Sequence, residues 1–152
     1  MEKTPFACRV AASGSFGSLT ATAALLGLGK IAGKSPWQAI NTTSHWAWGE
    51  EAAEVPRADL AHTALGYGTN HAATLFWALF YEKALGKGPV SPARALTVAI
   101  GTSAVAAIVD YRFTPKRFTP GWEFVLDKRA MTAVYVAMAL GMAGGTLWAR
   151  KK

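Results

Sequence analysis

Residues 130–149 read AMTAVYVAMALGMAGGTLWA, a run of 20 residues that contains no Asp, Glu, Lys or Arg. A helix needs about 20 predominantly apolar residues to cross the hydrocarbon core of a bilayer. Three further charge-free stretches precede this one, at residues 10–29, 60–81 and 95–109. Charged side chains are confined to the blocks around these stretches, so the distribution of charge predicts an integral membrane protein.

The third stretch is short for a membrane span, but its flanking residues lengthen it. Ser91-Pro92 has the pattern of an N-cap followed by proline at the first helical position, which extends the helix back past Arg94. We therefore predict an all-α integral membrane protein with one domain over residues 1–152. It contains four transmembrane helices in an antiparallel bundle, at about residues 10–29, 60–81, 92–111 and 130–149. A soluble bundle would show a charged face along each helix, and these stretches have none.

Composition and charge exclude several classes of protein. The chain is 51% hydrophobic and 16% charged, which excludes intrinsic disorder. Its net charge of +7 comes from basic residues scattered at helix ends, so we expect no nucleic-acid partner and favour anionic lipid headgroups. Cys8 is the only cysteine, which excludes an intramolecular disulfide and a cysteine-based metal site.

Small residues spaced four apart are typical of close helix packing in membranes. The pairs are Ser13 with Gly17, Gly29 with Gly33, and Gly141 with Gly145. They fit packing inside one chain or an interface between chains. We favour packing inside the chain.

The connection between the first two spans is rich in aromatic residues. Ser35-Pro36 is typical of a helix start, and Trp37, Trp46 and Trp48 follow it. We predict a short amphipathic helix lying at the membrane interface, where tryptophan is favoured. A cap over a pocket is the alternative.

The connection between the last two spans repeats five residues. Arg-Phe-Thr-Pro-Lys at 112–116 is followed by Arg-Phe-Thr-Pro-Gly at 117–121, and we call residues 112–121 the strap. Each proline favours extended backbone at the threonine before it. The candidate headgroup-binding residues are Arg112, Lys116, Arg117 and Trp122, with a partner-docking loop as the alternative.

Ionisable groups at membrane depth are the best pointers to function, because burying them in lipid is costly. His62 and Asp110 lie at similar depth on antiparallel spans, so a contact between them is geometrically available. His71 lies near the middle of its span, with Tyr67 and Asn70 on the same polar stripe. These five residues are the candidate functional side chains, with either structural or chemical roles.

No sequence motif specifies a reaction, a metal or a cofactor, although a bound lipid is expected. We expect an accessory or structural membrane protein that packs with itself or with a larger complex. The alternatives are an oligomeric transporter or proton relay centred on His71, and a membrane-embedded enzyme acting on a lipid or quinone headgroup at His62 and Asp110. A short chain rich in Ala and Gly without a transit signal favours a bacterial inner membrane. Lys and Arg counts tie between the two sides, and the more purely basic terminal side favours cytoplasmic termini.

Overall fold

A computed structural model describes residues 4–151 of the chain. The structure is about 80% helical, and residues 4–151 contain no strand. Four helices are long: α1 (Phe6–Ile31), α4 (Leu65–Leu85), α5 (Pro92–Ile108) and α6 (Lys128–Arg150). Two single-turn helices, α2 (Gln38–Asn41) and α3 (His45–Trp48), lie between α1 and α4. The predicted all-helical class is confirmed.

Three of these helices are long and apolar enough to cross a membrane. They are Phe6–Ile31, Pro92–Phe113 and Lys128–Arg150, of 26, 22 and 23 residues. This supports an integral membrane protein. The remaining predicted span, at residues 60–81, overlaps most of α4, which is helical but less apolar because of polar residues near its start. Gly66, Thr69, Asn70 and His71 follow one another closely in its first third.

The long helices begin and end near the predicted residues for local reasons. Ser91 Oγ accepts a hydrogen bond from the backbone N–H of Arg94, so the predicted N-cap of α5 is confirmed. Helix α1 ends where Gly33 adopts a φ of 74°, a conformation that glycine reaches without strain. Helices α4 and α5 are each extended at one end by a π turn, at Leu60–Ala64 and Val109–Phe113.

The segment between α1 and α4 departs from the predicted single amphipathic helix. It forms α2, a 3₁₀ turn at Thr42–Ser44, α3, and a second 3₁₀ turn at Glu50–Glu54. The hydroxyls of Thr42 and Ser44 donate to carbonyl oxygens three residues earlier, which competes with regular helix geometry. Gly49, with a φ of 79°, then changes the direction of the backbone and ends α3.

By contacts the chain divides into two compact units, and each long helix contributes residues to both. The first unit comprises residues 4–21, 71–106 and 135–151. Within it α1 and α6 pack closely, because Gly141 faces Phe16 and Thr20 and Gly145 faces Ala12 and Ser13. The small residues of this pair therefore serve packing inside the chain, as predicted.

The second unit comprises residues 22–70 and 107–134. Its interior holds an unusually polar stretch, since every residue of Gln38–Asn41 and Thr42–Ser44 is buried. Asn41 donates to the carbonyls of Val55 and Arg57 and accepts from the Thr63 hydroxyl. Buried polar groups of this kind are tolerated when they are hydrogen-bonded, so this stretch fixes the surrounding loops.

Candidate functional site

A buried ionic cluster in the first unit joins three helices. Glu82 on α4 is fully buried, and its Oε2 lies 3.3 Å from Nε of Arg9 on α1 and 2.8 Å from an Nη of Arg150 on α6. The Thr146 hydroxyl donates to the other carboxylate oxygen of Glu82. We call Arg9, Glu82, Thr146 and Arg150 the Glu82 cluster. Its carboxylate is paired and hydrogen-bonded on both oxygens, as a buried charge requires.

Both arginines also donate to backbone carbonyls, although Nε of Arg150 is buried without a hydrogen-bond partner among the described residues. Arg9 donates to the carbonyl of Thr4 at 2.6 Å, and Arg150 donates to those of Gly86 and Gly88 at 3.0 and 2.6 Å. The cluster thus links the loop after α4 to the two helices that carry the arginines. This arrangement is suited to holding helices together, because the charges are occupied by partners inside the chain.

Sequence reasoning missed the Glu82 cluster, because it treated charged residues as the boundaries of spans. Arg9, Glu82 and Arg150 each lie one residue outside a charge-free stretch. In an antiparallel four-span arrangement those three positions fall at the same end. An acid among basic residues at that end was the signal that a charge pair forms there.

His62 forms a pair with Asp59 at the start of the π turn that precedes α4. The Nδ1 atom of His62 lies 3.0 Å from both carboxylate oxygens of Asp59, and the backbone N–H of His62 donates to the same carboxylate at 2.6 Å. This backbone bond and the side-chain bond lower the pKa of Asp59. The structure therefore pairs His62 with Asp59, and Asp110 lies half-buried in the other π turn.

The polar stripe of α4 faces inward at Asn70 and Thr74, which are 8% and 1% exposed. Tyr67 and His71 are half-buried. Helix α4 therefore directs these two polar side chains into the interior of the protein. The role of His71 and Tyr67 stays a prediction.

Two distant loops meet in the second unit through backbone-directed hydrogen bonds. His45 Nε2 donates to the carbonyl of Thr119 at 2.8 Å, and Arg117 Nε donates to the carbonyl of Trp46 at 3.0 Å. Trp122 is buried, and its indole N–H donates to the Thr43 hydroxyl at 3.1 Å. The strap is therefore fixed against α3 by side chains on both loops.

A groove of about 500 Å³ lies between these loops. Its charged lining residues come from both of them: Glu50 from one, and Lys116, Arg117 and Glu123 from the other. His45 forms part of the wall, with the ring of Phe124 packed edge-on against it at a centroid distance of 5.3 Å. Trp48 adds an aromatic wall that is half exposed. We call this the charged groove.

The predicted headgroup-binding residues occupy different environments. Lys116 and Arg117 line the charged groove, whereas Arg112 is exposed in the π turn at Val109–Phe113. Trp122 lies inside the unit at 3% exposure, so it packs against the loop of Thr43 instead of lining the groove. The residues before both strap prolines, Thr114 and Thr119, are extended as predicted.

The two tryptophans of α3 are tied to the start of α4. Trp46 donates its indole N–H to the Thr69 hydroxyl at 3.2 Å, and Trp48 donates to the carbonyl of Ala61 at 2.8 Å. The Trp48 ring also lies 5.8 Å from the ring of His62. Both residues therefore hold the loop in place, and Trp48 in addition lines the groove.

Among residues 4–151, no group of three or more His, Cys, Asp or Glu side chains is arranged to hold a metal ion. No protein-family model matches the chain, and comparisons with curated proteins and with solved structures give no match. The functional argument therefore rests on the residues and their geometry.

Proposed function

We propose that this chain is a four-span integral membrane protein that acts as an accessory or structural component. Its four long helices form an antiparallel bundle, packed with further copies or within a larger membrane complex. The proposed location is a bacterial inner membrane with cytoplasmic termini. The observation that carries the proposal is the Glu82 cluster, in which the buried charges pair with one another and connect three helices.

The exposed surface of the long helices supports a membrane setting. Large apolar side chains that are at least 39% exposed include Phe16, Leu19, Phe76, Phe80, Ile100, Val105, Ile108 and Leu140. Such exposure in water is typical of an aggregation-prone surface, whereas lipid or a neighbouring helix would cover it.

Helix α4 is included as a span because its polar and apolar residues are segregated. Phe76 and Phe80 are each 52% exposed, whereas Thr74 and Glu82 are buried. In transmembrane helices polar groups face the bundle interior and find partners there. The lower hydropathy of α4 is thus compatible with a membrane span whose polar residues face protein.

The bundle is tested by labelling single cysteines with a membrane-impermeant maleimide in sealed vesicles. The native Cys8 is exposed and reports the N-terminal end. In a Cys8→Ser background, Lys34→Cys and Lys87→Cys report the ends of α1 and α4. Four spans place residues 8 and 87 on one side and residue 34 on the other. Labelling of residues 34 and 87 from the same side would contradict the fourth span.

The accessory role is tested by native mass spectrometry of the protein gently extracted from its own membrane. We expect a homo-oligomer or a complex with other membrane proteins. A particle that is strictly monomeric, combined with loss of coupled ion flux in His71→Ala vesicles, would overturn the accessory role. That result would support a proton relay centred on His71, in which Tyr67 and Asn70 take part in the proton path.

A second candidate function rests on the pair of His62 and Asp59. A carboxylate that orients an imidazole is the usual arrangement of a general base. The proposal of an enzyme acting on a lipid or quinone headgroup therefore moves from His62 with Asp110 to His62 with Asp59. It predicts that His62→Gln abolishes turnover of such a substrate, while Asp110→Asn leaves turnover near the wild-type rate.

A further inference from the structure

The charged groove carries equal numbers of basic and acidic side chains. Lys116 and Arg117 lie on the strap, Glu50 begins the 3₁₀ turn after α3, and Glu123 lies in the turn that follows the strap. Among the described residues, none of these four side chains forms an ion pair with another. Two basic and two acidic side chains that line one groove without pairing with each other are suited to a ligand that carries both a negative and a positive charge.

The basic side of the groove is preorganised by Arg117. Its Nε donates to the carbonyl of Trp46, while its terminal nitrogens make no hydrogen bond with a described residue. A guanidinium fixed in this way presents donors that match phosphate oxygens. Lys116, one residue earlier on the same 3₁₀ turn, adds a second positive charge.

The two carboxylates of the groove, Glu50 and Glu123, lie on two separate 3₁₀ turns. The Thr119 hydroxyl lies 3.0 Å from Oε1 of Glu123 and 3.0 Å from the carbonyl oxygen of Lys116, and this contact holds the carboxylate beside the strap. Glu50 lies on the opposite loop, directly after Gly49, where the backbone changes direction. Carboxylates accept hydrogen bonds from a primary ammonium, which has three N–H donors, whereas a quaternary ammonium has none.

We propose that the charged groove binds a phosphate that carries a neighbouring primary ammonium, the chemistry of a phosphoethanolamine headgroup. The phosphate contacts Arg117 and Lys116, and the ammonium contacts Glu50 and Glu123. The volume of about 500 Å³ lies within the range of pockets that hold small molecules. Trp48 and Phe124 give the groove the aromatic walls typical of residues at headgroup depth.

This inference rests on the proposed membrane setting and deepens it. An anionic headgroup would meet two carboxylates as well as two cations in the groove. A zwitterionic headgroup satisfies both sets. The groove therefore predicts selectivity for phosphatidylethanolamine over phosphatidylglycerol, and over phosphatidylcholine because choline lacks N–H donors.

The test uses the full chain purified in detergent and titrated with short-chain lipids, with bound lipid read by native mass spectrometry. We expect phosphatidylethanolamine to bind about fivefold more tightly than either phosphatidylcholine or phosphatidylglycerol. The double variant Glu50→Gln/Glu123→Gln should lose this preference and gain affinity for phosphatidylglycerol, because the groove then carries only positive charge. A purely structural role for these glutamates would not reverse the selectivity.

Matched controls lie on the same 3₁₀ turn as Glu50. The double variant Glu51→Gln/Glu54→Gln removes two exposed carboxylates that do not line the groove, and it should keep the wild-type lipid preference. Thermal melting of each variant checks that the fold is retained. Equal binding of the three lipids by wild type, or the same selectivity in both double variants, would overturn the proposal.

Competition with soluble phosphoethanolamine separates two sources of the ligand. Displacement of bound lipid assigns the site to the headgroup chemistry alone, which includes a free phosphoethanolamine. Retention of lipid, with the selectivity above, assigns it to the intact phospholipid. The cysteine labelling described above decides the proposed membrane topology independently, so absent lipid selectivity in a chain with four spans refutes this inference alone.

Discussion

Replacing Glu82 by glutamine tests whether the Glu82 cluster stabilises the fold. The substitution keeps the shape of the side chain and removes its charge. Arg150 retains its two bonds to the carbonyls of Gly86 and Gly88, whereas Arg9 keeps one hydrogen bond, to the carbonyl of Thr4, and its contact with the ring of Phe6. The lost stability should therefore come mainly from Arg9, whose charge is left without a carboxylate although its side chain is only 6% exposed.

The expected loss of unfolding free energy is about 3 kcal/mol, at the lower end of the range for breaking a buried ion pair. An amide oxygen at position 82 still accepts hydrogen bonds, which keeps the loss at this end of the range. For a chain of this size the loss corresponds to a melting temperature about 6–12 °C lower. Unfolding by SDS in detergent micelles, followed by the fluorescence of the six tryptophans, measures the free energy.

A double-mutant cycle separates the ion pair from other effects of the substitution. Arg9→Met alone should also destabilise the protein, because it leaves Glu82 with one cation fewer. In the double variant positions 9 and 82 are both uncharged. Only Arg150 keeps its charge, and it still donates to the carbonyls of Gly86 and Gly88, so the total loss should be about 2 kcal/mol smaller than the sum of the single losses. Lys83→Gln, at the exposed neighbouring position, should change stability by no more than about 0.5 kcal/mol. A loss below about 1 kcal/mol in Glu82→Gln, or strictly additive single losses, would refute this reasoning.

Three further predictions follow from local geometry. Gly141→Ala should destabilise the protein strongly, since its methyl would meet the backbone of α1 within 2.8 Å, whereas Gly144→Ala on the same helix meets nothing within 4 Å and should be neutral or stabilising in the same SDS titration. Because the folded pKa of Asp59 lies below its ordinary 3.8, its stabilising charge is present above that pH and is lost on further acidification; the stability advantage of wild type over Asp59→Asn should therefore shrink as melting is measured below pH 3.8. Gly121→Ala should lower the melting temperature, because position 121 has a φ of 77° and an added methyl would lie 2.7 Å from the His45 ring.

The positions of the long helices were predictable because charge and hydrophobicity change sharply along the chain. Helix α6 covers residues 128–150 against a predicted span of 130–149, and α5 begins at the predicted Pro92. These boundaries depend on local chemistry, namely a cap and the edge of an apolar run. A single sequence contains that information in full.

The candidate sites were less predictable, because they depend on contacts between distant residues. The charged groove joins residues near position 50 to residues near position 120, and His45 reaches Thr119 across 74 positions. The partner of His62 was sought on another helix, at Asp110, although Asp59 stood three residues earlier as the N-cap. A partner three residues away on the same turn costs little conformational entropy to bring into contact, which favours the observed pair.

The packing of the first unit shows which substitutions the chain should tolerate least in a lipid environment. Apolar side chains gain little by moving from lipid to protein, so helices in a membrane associate through close contact and interhelical hydrogen bonds. Both kinds of contact join α1 to α6 here. Gly141 lets the backbone of α1 pack closely, and the Thr20 hydroxyl donates to the carbonyl of Ala137 at 2.6 Å. Leu140, which is 55% exposed, contributes neither. Adding one methyl group at position 141 should therefore cost more stability than removing the whole side chain of its neighbour by Leu140→Ala, because the methyl meets backbone whereas Leu140 is exposed.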